Sequence, residues 1–188
     1  MKEYKPVMLP FSPDFAELPK SKQKEFFKWF MDIIPERLEM LANFVQSTEG
    51  YADWIPDFSP DSLIKLGEWY YNAVETREKT EEEIANVPEW IGAEPWTLNY
   101  KTRSIAFDVG IYFGNVILRN VSGIKWKIWD KGKKSVDYGK PVLIGAKENP
   151  LQPYHIMEVL AFGYADKSRH PSKLRELYDI WKESLQGR

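Results

Sequence analysis

Four polar residues recur at helical spacing inside an otherwise apolar stretch: Asp108, Tyr112, Asn115 and Arg119, at i, i+4, i+7 and i+11. At 3.6 residues per turn they share one face of a helix. Together they offer a carboxylate acceptor, a fork of guanidinium donors and two directional hydrogen-bonding groups. That inventory suits recognition better than proton transfer, because no second carboxylate or histidine joins the pattern as an acid–base partner. The stripe is therefore the candidate binding face. Its rivals are a solvent-facing or ion-paired stripe, since a lone buried charge is costly, and an enzyme site built on Asp108, Tyr112 and Arg119.

A basic cluster follows at Lys125, Lys127, Lys131, Lys133, Lys134, Lys140 and Lys147. Period-two alternation sets Ile124, Trp126 and Ile128 on one face of a strand and Lys125, Lys127 and Trp129 on the other. Lysines interleaved with an aromatic suit phosphate contact and base stacking, making Lys125, Lys127, Trp129, Lys133 and Lys134 candidate nucleic-acid contacts. Against this stand the scarcity of arginine there, a sequence pI of about 5.8, and the frequent use of lysine to discourage edge pairing.

Other chemistry is narrowly bounded. The 188 residues include no cysteine and two histidines, which excludes disulfides and thiol catalysis and leaves no Cys/His zinc site. There is no phosphate-binding glycine loop and no Gly-x-Ser-x-Gly elbow. His155, just after Pro153, reads as a capping or half-exposed residue before a general base. His170, preceding Pro171, reads as a turn or N-cap residue. No metal and no cofactor is expected.

The elements that must position these residues follow from periodicity. Small residues Ala106, Gly110 and Gly114 form a strip at i, i+4 and i+8, flanked by Ile105, Val109, Phe113 and Val116, so residues 102–120 are expected to be a largely buried helix approached closely by another backbone. Upstream, Phe26, Phe30 and Ile33/Ile34 mark a helix that Pro35 kinks or divides, continued by Leu38, Leu41 and Val45. Ser59 and Pro60 open the next helix as N-cap and N1, with Leu63, Leu66, Tyr70 and Val74 as its stripe. Glu81–Glu83 read as a solvated first turn. Residues 86–96, with Trp90 and Trp96, form a structured loop whose tryptophans either plug the core or anchor a partner. Residues 124–144 give a hairpin with Pro141 opening its second strand at an edge position. Pro153 and Pro171 open two final helices.

The order of Tyr112, Gly114, Trp126 and Pro153 resembles a module of uncharacterised bacterial proteins. In it a helix ending Tyr-x-Gly-Glu leads to a Trp-bearing hairpin and then a helix opened by proline. The resemblance covers roughly residues 105–162 and implies helix–hairpin–helix order. Asn115 replaces the usual Glu, so no acid–base role carries over.

The expectation is a mostly helical α+β chain forming one domain over 1–188: an irregular arm at 1–20, a helical half at 21–97 and a helix–β-hairpin–helix half at 98–188. Residues 1–97 carry 19 acidic against 10 basic residues, net −9, and residues 98–188 carry 9 against 16, net +7. Either the halves face each other or a charged partner meets one of them. The N-terminus lacks a signal-peptide core and no run approaches ~20 apolar residues, so a cytoplasmic protein without a membrane span is expected. By elimination, the expected function is a non-enzymatic bacterial interaction domain, accessory or toxin-neutralising, with a protein partner. The alternatives are a nucleic-acid-binding module using the hairpin, or an enzyme on the polar face.

Overall fold

The structure is a computed structural model and describes residues 4–11, 14–86, 94–147 and 149–187. Among these residues it is a mostly helical α+β fold of six helices and two antiparallel sheets of two strands each. The first helix, α1, runs unbroken over Lys20–Ser47 with Pro35 inside it. Of the two expectations, a division of the helix at Pro35 does not occur. Proline deprives Met31, one turn back, of a hydrogen-bond donor, and Met31 is 38% exposed, on a side where water can serve its carbonyl. The buried stripe of α1 is Gln23, Phe26, Phe30, Ile34, Arg37, Leu41 and Val45. An arginine thus occupies a core position.

Helix α2 spans Ser62–Ala73. It starts two residues beyond the expected N1, because residues 59–62 form a preceding turn in which the Ser62 N–H donates to Ser59 Oγ at 3.2 Å. Strand β1 (Thr76–Glu78) pairs with β2 (Trp96–Leu98), a small sheet not anticipated in the helical half. All three residues of β1 are exposed, so no alternation announces it. Between the strands, α3 (Glu81–Ala85) opens with a capping box of Thr80 and Glu83, and its three glutamates sit in the first turn as expected.

Helix α4 (Tyr100–Asn120) is the centre of the molecule, with 14 of its residues buried. Strands β3 (Lys125–Ile128) and β4 (Pro141–Ile144) form the hairpin, in the register Lys125↔Ile144 to Ile128↔Pro141. Helices α5 (Pro153–Ala165) and α6 (Lys173–Gln186) follow, and α4 packs most extensively on α5. The small strip on α4 explains that closeness. A Cβ added to Gly110 would lie 2.5 Å from Tyr154 Cα and 2.6 Å from its nitrogen, well inside contact distance. At Gly114 it would meet the Trp126 ring at 3.0 Å. Only glycine lets the start of α5 rest on α4 in this way.

Two apolar clusters fill the interior. The larger joins α1, α2, α4, α5 and α6 around Leu41, Leu66, Tyr70, Val109, Phe113 and Leu160. The smaller lies between the N-terminal arm, α1 and α4 around Phe15, Phe26, Phe30 and Phe107. Ion pairs Lys101–Glu75, Lys133–Glu17 and Arg175–Asp61 join the basic half to the acidic one, so the charge asymmetry is partly answered within the chain. Each pair has exposed partners and contributes little stability. No helix among the described residues is long and apolar enough to cross a membrane.

Candidate ligand cleft beneath the N-terminal arm

The polar stripe of α4 does not form one face. Asp108 is fully buried, and Arg37 reaches it from α1 with two parallel bonds, Nε to Oδ1 at 2.7 Å and Nη2 to Oδ2 at 2.6 Å. Tyr4 from the arm donates a third bond to Oδ2 at 2.6 Å, and its hydroxyl also lies 2.9 Å from Ser104 Oγ. The Val7 N–H donates to the same Ser104 Oγ at 2.7 Å, and Arg37 Nη1 donates to the Lys5 carbonyl. Arg37, Ser104 and Asp108 therefore fasten the arm to the helical body. Burial pushes the Asp108 carboxyl up to about 6, opposed by the Arg37 hydrogen bonds and charge. Burial works against charge on Arg37, yet the hydrogen bonds and charge of Asp108, together with Tyr4, hold it raised. With three donors converging on the carboxylate, the pair is ionised at neutral pH.

One turn on, Tyr112 is buried between Trp54 and Phe58, its hydroxyl 2.7 Å from Ser62 Oγ and accepting the Phe58 N–H at 3.2 Å. Burial raises its phenol. Asn115 is half-buried and donates to the Ile111 carbonyl of its own helix at 2.9 Å. Arg119 is exposed, with its guanidinium 3.6 Å from the centre of the Phe58 ring. Asp108 and Arg119 do not pair. The four do not share an open face: the helical spacing is right, but neighbours from α1, α2 and the arm divide the stripe.

The hairpin needs a correction as well. Trp129 is 8% exposed, so it is not a stacking platform beside the lysines. It lies just past β3, where its N–H donates to the Lys140 carbonyl and its own carbonyl accepts from Gly139, closing the ladder. Its large apolar area favours burial wherever the fold allows it. Lys125 and Lys134 are exposed, Lys127 lies 3.6 Å from Asp130, and Lys133 lies 3.7 Å from Glu17. His155 is half-buried and His170 exposed, the latter's carbonyl accepting from the Lys173 N–H in the turn before α6. Trp96 is half-buried with its ring 5.9 Å from that of Phe162; Trp90 lies outside the described residues.

A site absent from the sequence reading lies between the arm and the body, a cleft of about 360 Å³. Its apolar walls are Val7, Leu9 and Phe15 from the arm side, Phe26 of α1, and Tyr100 and Phe107 of α4. Its polar lining is Arg103 and Ser104 of α4, Lys140 before β4, and Gln152, Tyr154 and Glu158 at the start of α5. The arm is held over it by the Tyr100 hydroxyl, which donates to the Val7 carbonyl at 2.6 Å. Arg103 is paired with Glu158 and also donates to Thr97 Oγ1 at 3.1 Å. Burial lowers the Lys140 ammonium, which only Asp137 opposes, and no carboxylate among the described residues comes within ion-pairing distance of it.

Two polar atoms of this lining lack hydrogen bonds: Gln152 Oε1 and the Tyr154 hydroxyl, both shielded from solvent. Burial pushes the Tyr154 phenol far up, and the nearby Gln152 amide moderates the effect without a bond of good geometry. Buried polar groups are nearly always paired, and an unpaired one costs about 1–3 kcal/mol. The cleft contains no nucleophile–base pair and, among the described residues, no cluster able to hold a metal ion. It can bind, orient and desolvate a small molecule. Arg37 could have been suspected from its place in the apolar stripe of α1, and Ser104 from its spacing of four before Asp108. Scans against family models, curated proteins and solved structures find no match to this chain.

Proposed function

We propose that this chain is a non-catalytic binding protein whose ligand seat is the cleft under the N-terminal arm. The observation that carries the reading is a cleft of about 360 Å³ whose mostly apolar walls also carry Arg103, Lys140 and Glu158. Pockets that bind small molecules are apolar concavities of ~300–1,000 Å³ with a few convergent polar groups. This cleft stands at the small end of that range. The hairpin without an exposed Trp129 loses the stacking residue that favoured nucleic acid. The cleft takes over the recognition role expected of the polar stripe.

The test uses 8-anilinonaphthalene-1-sulfonate, whose fluorescence rises on entering an apolar site. The native protein should enhance it saturably at one site. Leu9→Trp, adding bulk at a cleft residue that is 45% exposed, should weaken binding at least about tenfold. Met8→Trp, at a neighbour 75% exposed and outside the lining, should leave it unchanged. Equal binding by both variants would remove the cleft as the seat.

A further inference from the structure

We propose that a second groove, between α1 and β3, takes an extended acidic segment of a partner protein, which adds to the open edge of β3 as a further strand. The hairpin ladder shows which edge is open. The Trp129 N–H donates across it to the Lys140 carbonyl, and pairing alternates along an antiparallel ladder. Lys127 and Lys125 therefore turn their backbone groups towards β4, in register with Val142 and Ile144. Trp126 and Ile128 turn theirs the other way. On the far side of β4, Leu143 exchanges both of its bonds with Leu151, so β4 has neighbours on both edges and β3 on one. Among the described residues nothing bonds to the outward N–H and C=O groups of Trp126 and Ile128. An unpaired edge of this kind is a template for an extended chain.

The groove beside that edge has room and a charge. It measures about 490 Å³ and runs between Lys20, Lys24 and Phe27 of α1 and Trp126, Lys127 and Ile128 of β3. The lining carries three lysines against one carboxylate, Asp130, which lies 3.6 Å from Lys127. Lys20 and Lys24 are exposed, one helical turn apart, and no carboxylate among the described residues comes within ion-pairing distance of either. A strand laid along β3 alternates its side chains as β3 does. One set lies on the side of Trp126 and Ile128, where α1 packs with Phe30 against the Trp126 ring and Phe27 adds apolar surface. The other set lies beside Lys127 and the exposed Lys125. Apolar residues suit the first set and carboxylates the second, with Lys20 and Lys24 at the rim. The same lysines disfavour a second copy of this chain. Two β3 edges joined antiparallel would set lysine near lysine, and like charges opposite one another destabilise a sheet. Nucleic acid carries the right charge but lacks the regular N–H and C=O groups that an open edge pairs.

Fluorescence anisotropy with an eight-residue labelled peptide alternating glutamate and valine tests both demands. Beside it stand a glutamine–valine counterpart and two forms of the glutamate peptide methylated on alternate backbone nitrogens, at the valines or at the glutamates. The glutamate peptide should bind the native protein at least about tenfold more tightly than the glutamine one. Of the methylated pair, one should lose about tenfold or more and the other keep its affinity, since only one edge of an added strand meets β3. Lys20→Glu combined with Lys24→Glu should weaken the glutamate peptide about tenfold and leave the glutamine peptide within about twofold. Should that variant fail to fold, the methylated pair still decides the matter on the native protein. Equal affinity of the two methylated forms would overturn strand addition, and equal affinity of the glutamate and glutamine peptides would overturn the acidic partner. An oligothymidylate that displaces the peptide while both methylated forms bind alike would assign the groove to nucleic acid instead. No peptide binding would overturn the proposal outright, and dimers in sedimentation velocity alongside that result would give the edge to a second copy.

Discussion

The two ends of the α4 stripe carry opposite charges and have opposite fates. At Asp108 the side chain is fully buried and receives donors from two other segments. At Arg119, three turns on, the side chain lies in solvent across a single ring. Spacing along a helix fixes which residues share a direction, but only the neighbouring elements decide whether that direction leads to water. Here α1 and the arm close over the first end and leave the second open. A buried pair whose members come from different segments specifies how those segments dock, whereas an exposed cation over a ring holds only its own neighbourhood.

The contrast can be broken most sharply at Arg37. Replacing it by Ala leaves Asp108 buried without its cation and should destabilise the protein by about 3–5 kcal/mol. Denaturant unfolding measures this directly, and a loss below about 1 kcal/mol would place the pair with ordinary surface contacts. Somewhat smaller is the pH dependence lodged in Asp108. Its carboxyl stands at about 6 when folded against 3.8 ordinarily, so on acidification the folded state takes up the proton first. The linked stabilisation is complete below pH ~4 and lost as pH rises through ~6. Between pH ~7 and ~4 the native chain should therefore gain up to about 3 kcal/mol relative to Asp108→Asn. Parallel pH profiles for the two proteins would exclude this coupling. The smallest effect is expected at the far end, where Arg119→Ala should cost about 0.5–1 kcal/mol and leave dye binding in the cleft unaltered. A larger loss in thermal melting would show that the open end also holds the fold.

Much of the architecture was legible before the structure. The helix over α4, the glycine strip pressed against α5, the hairpin, and the proline that opens α5 all follow from local spacing and backbone chemistry. The misses share a cause. The partner of Asp108 is 71 residues away, and nothing in a local pattern joins them. Pro35 is a helix breaker by local rules, yet long packing of α1 on both clusters carries the helix through it. The strands β1 and β2 are three residues each and 17 residues apart, too short to show a period. The cleft was hidden most completely, because its lining comes from five separated stretches. Lys140 was noticed only as one lysine of the hairpin, and Gln152 not at all.

The fastening of the arm to Ser104 and Asp108 also orders the birth of the molecule in time. Tyr4 binds residues 100 and 104 positions later in the chain. At ~5–20 residues per second on the ribosome, its anchors follow it by roughly 5–20 s. Throughout that interval the aromatic arm lacks its anchors on α4, and the cleft does not exist. Contacts of such long sequence separation form late in refolding too, because the loop they close must first be collapsed by others. The cleft therefore takes shape only after α5 has been made and has folded onto the body.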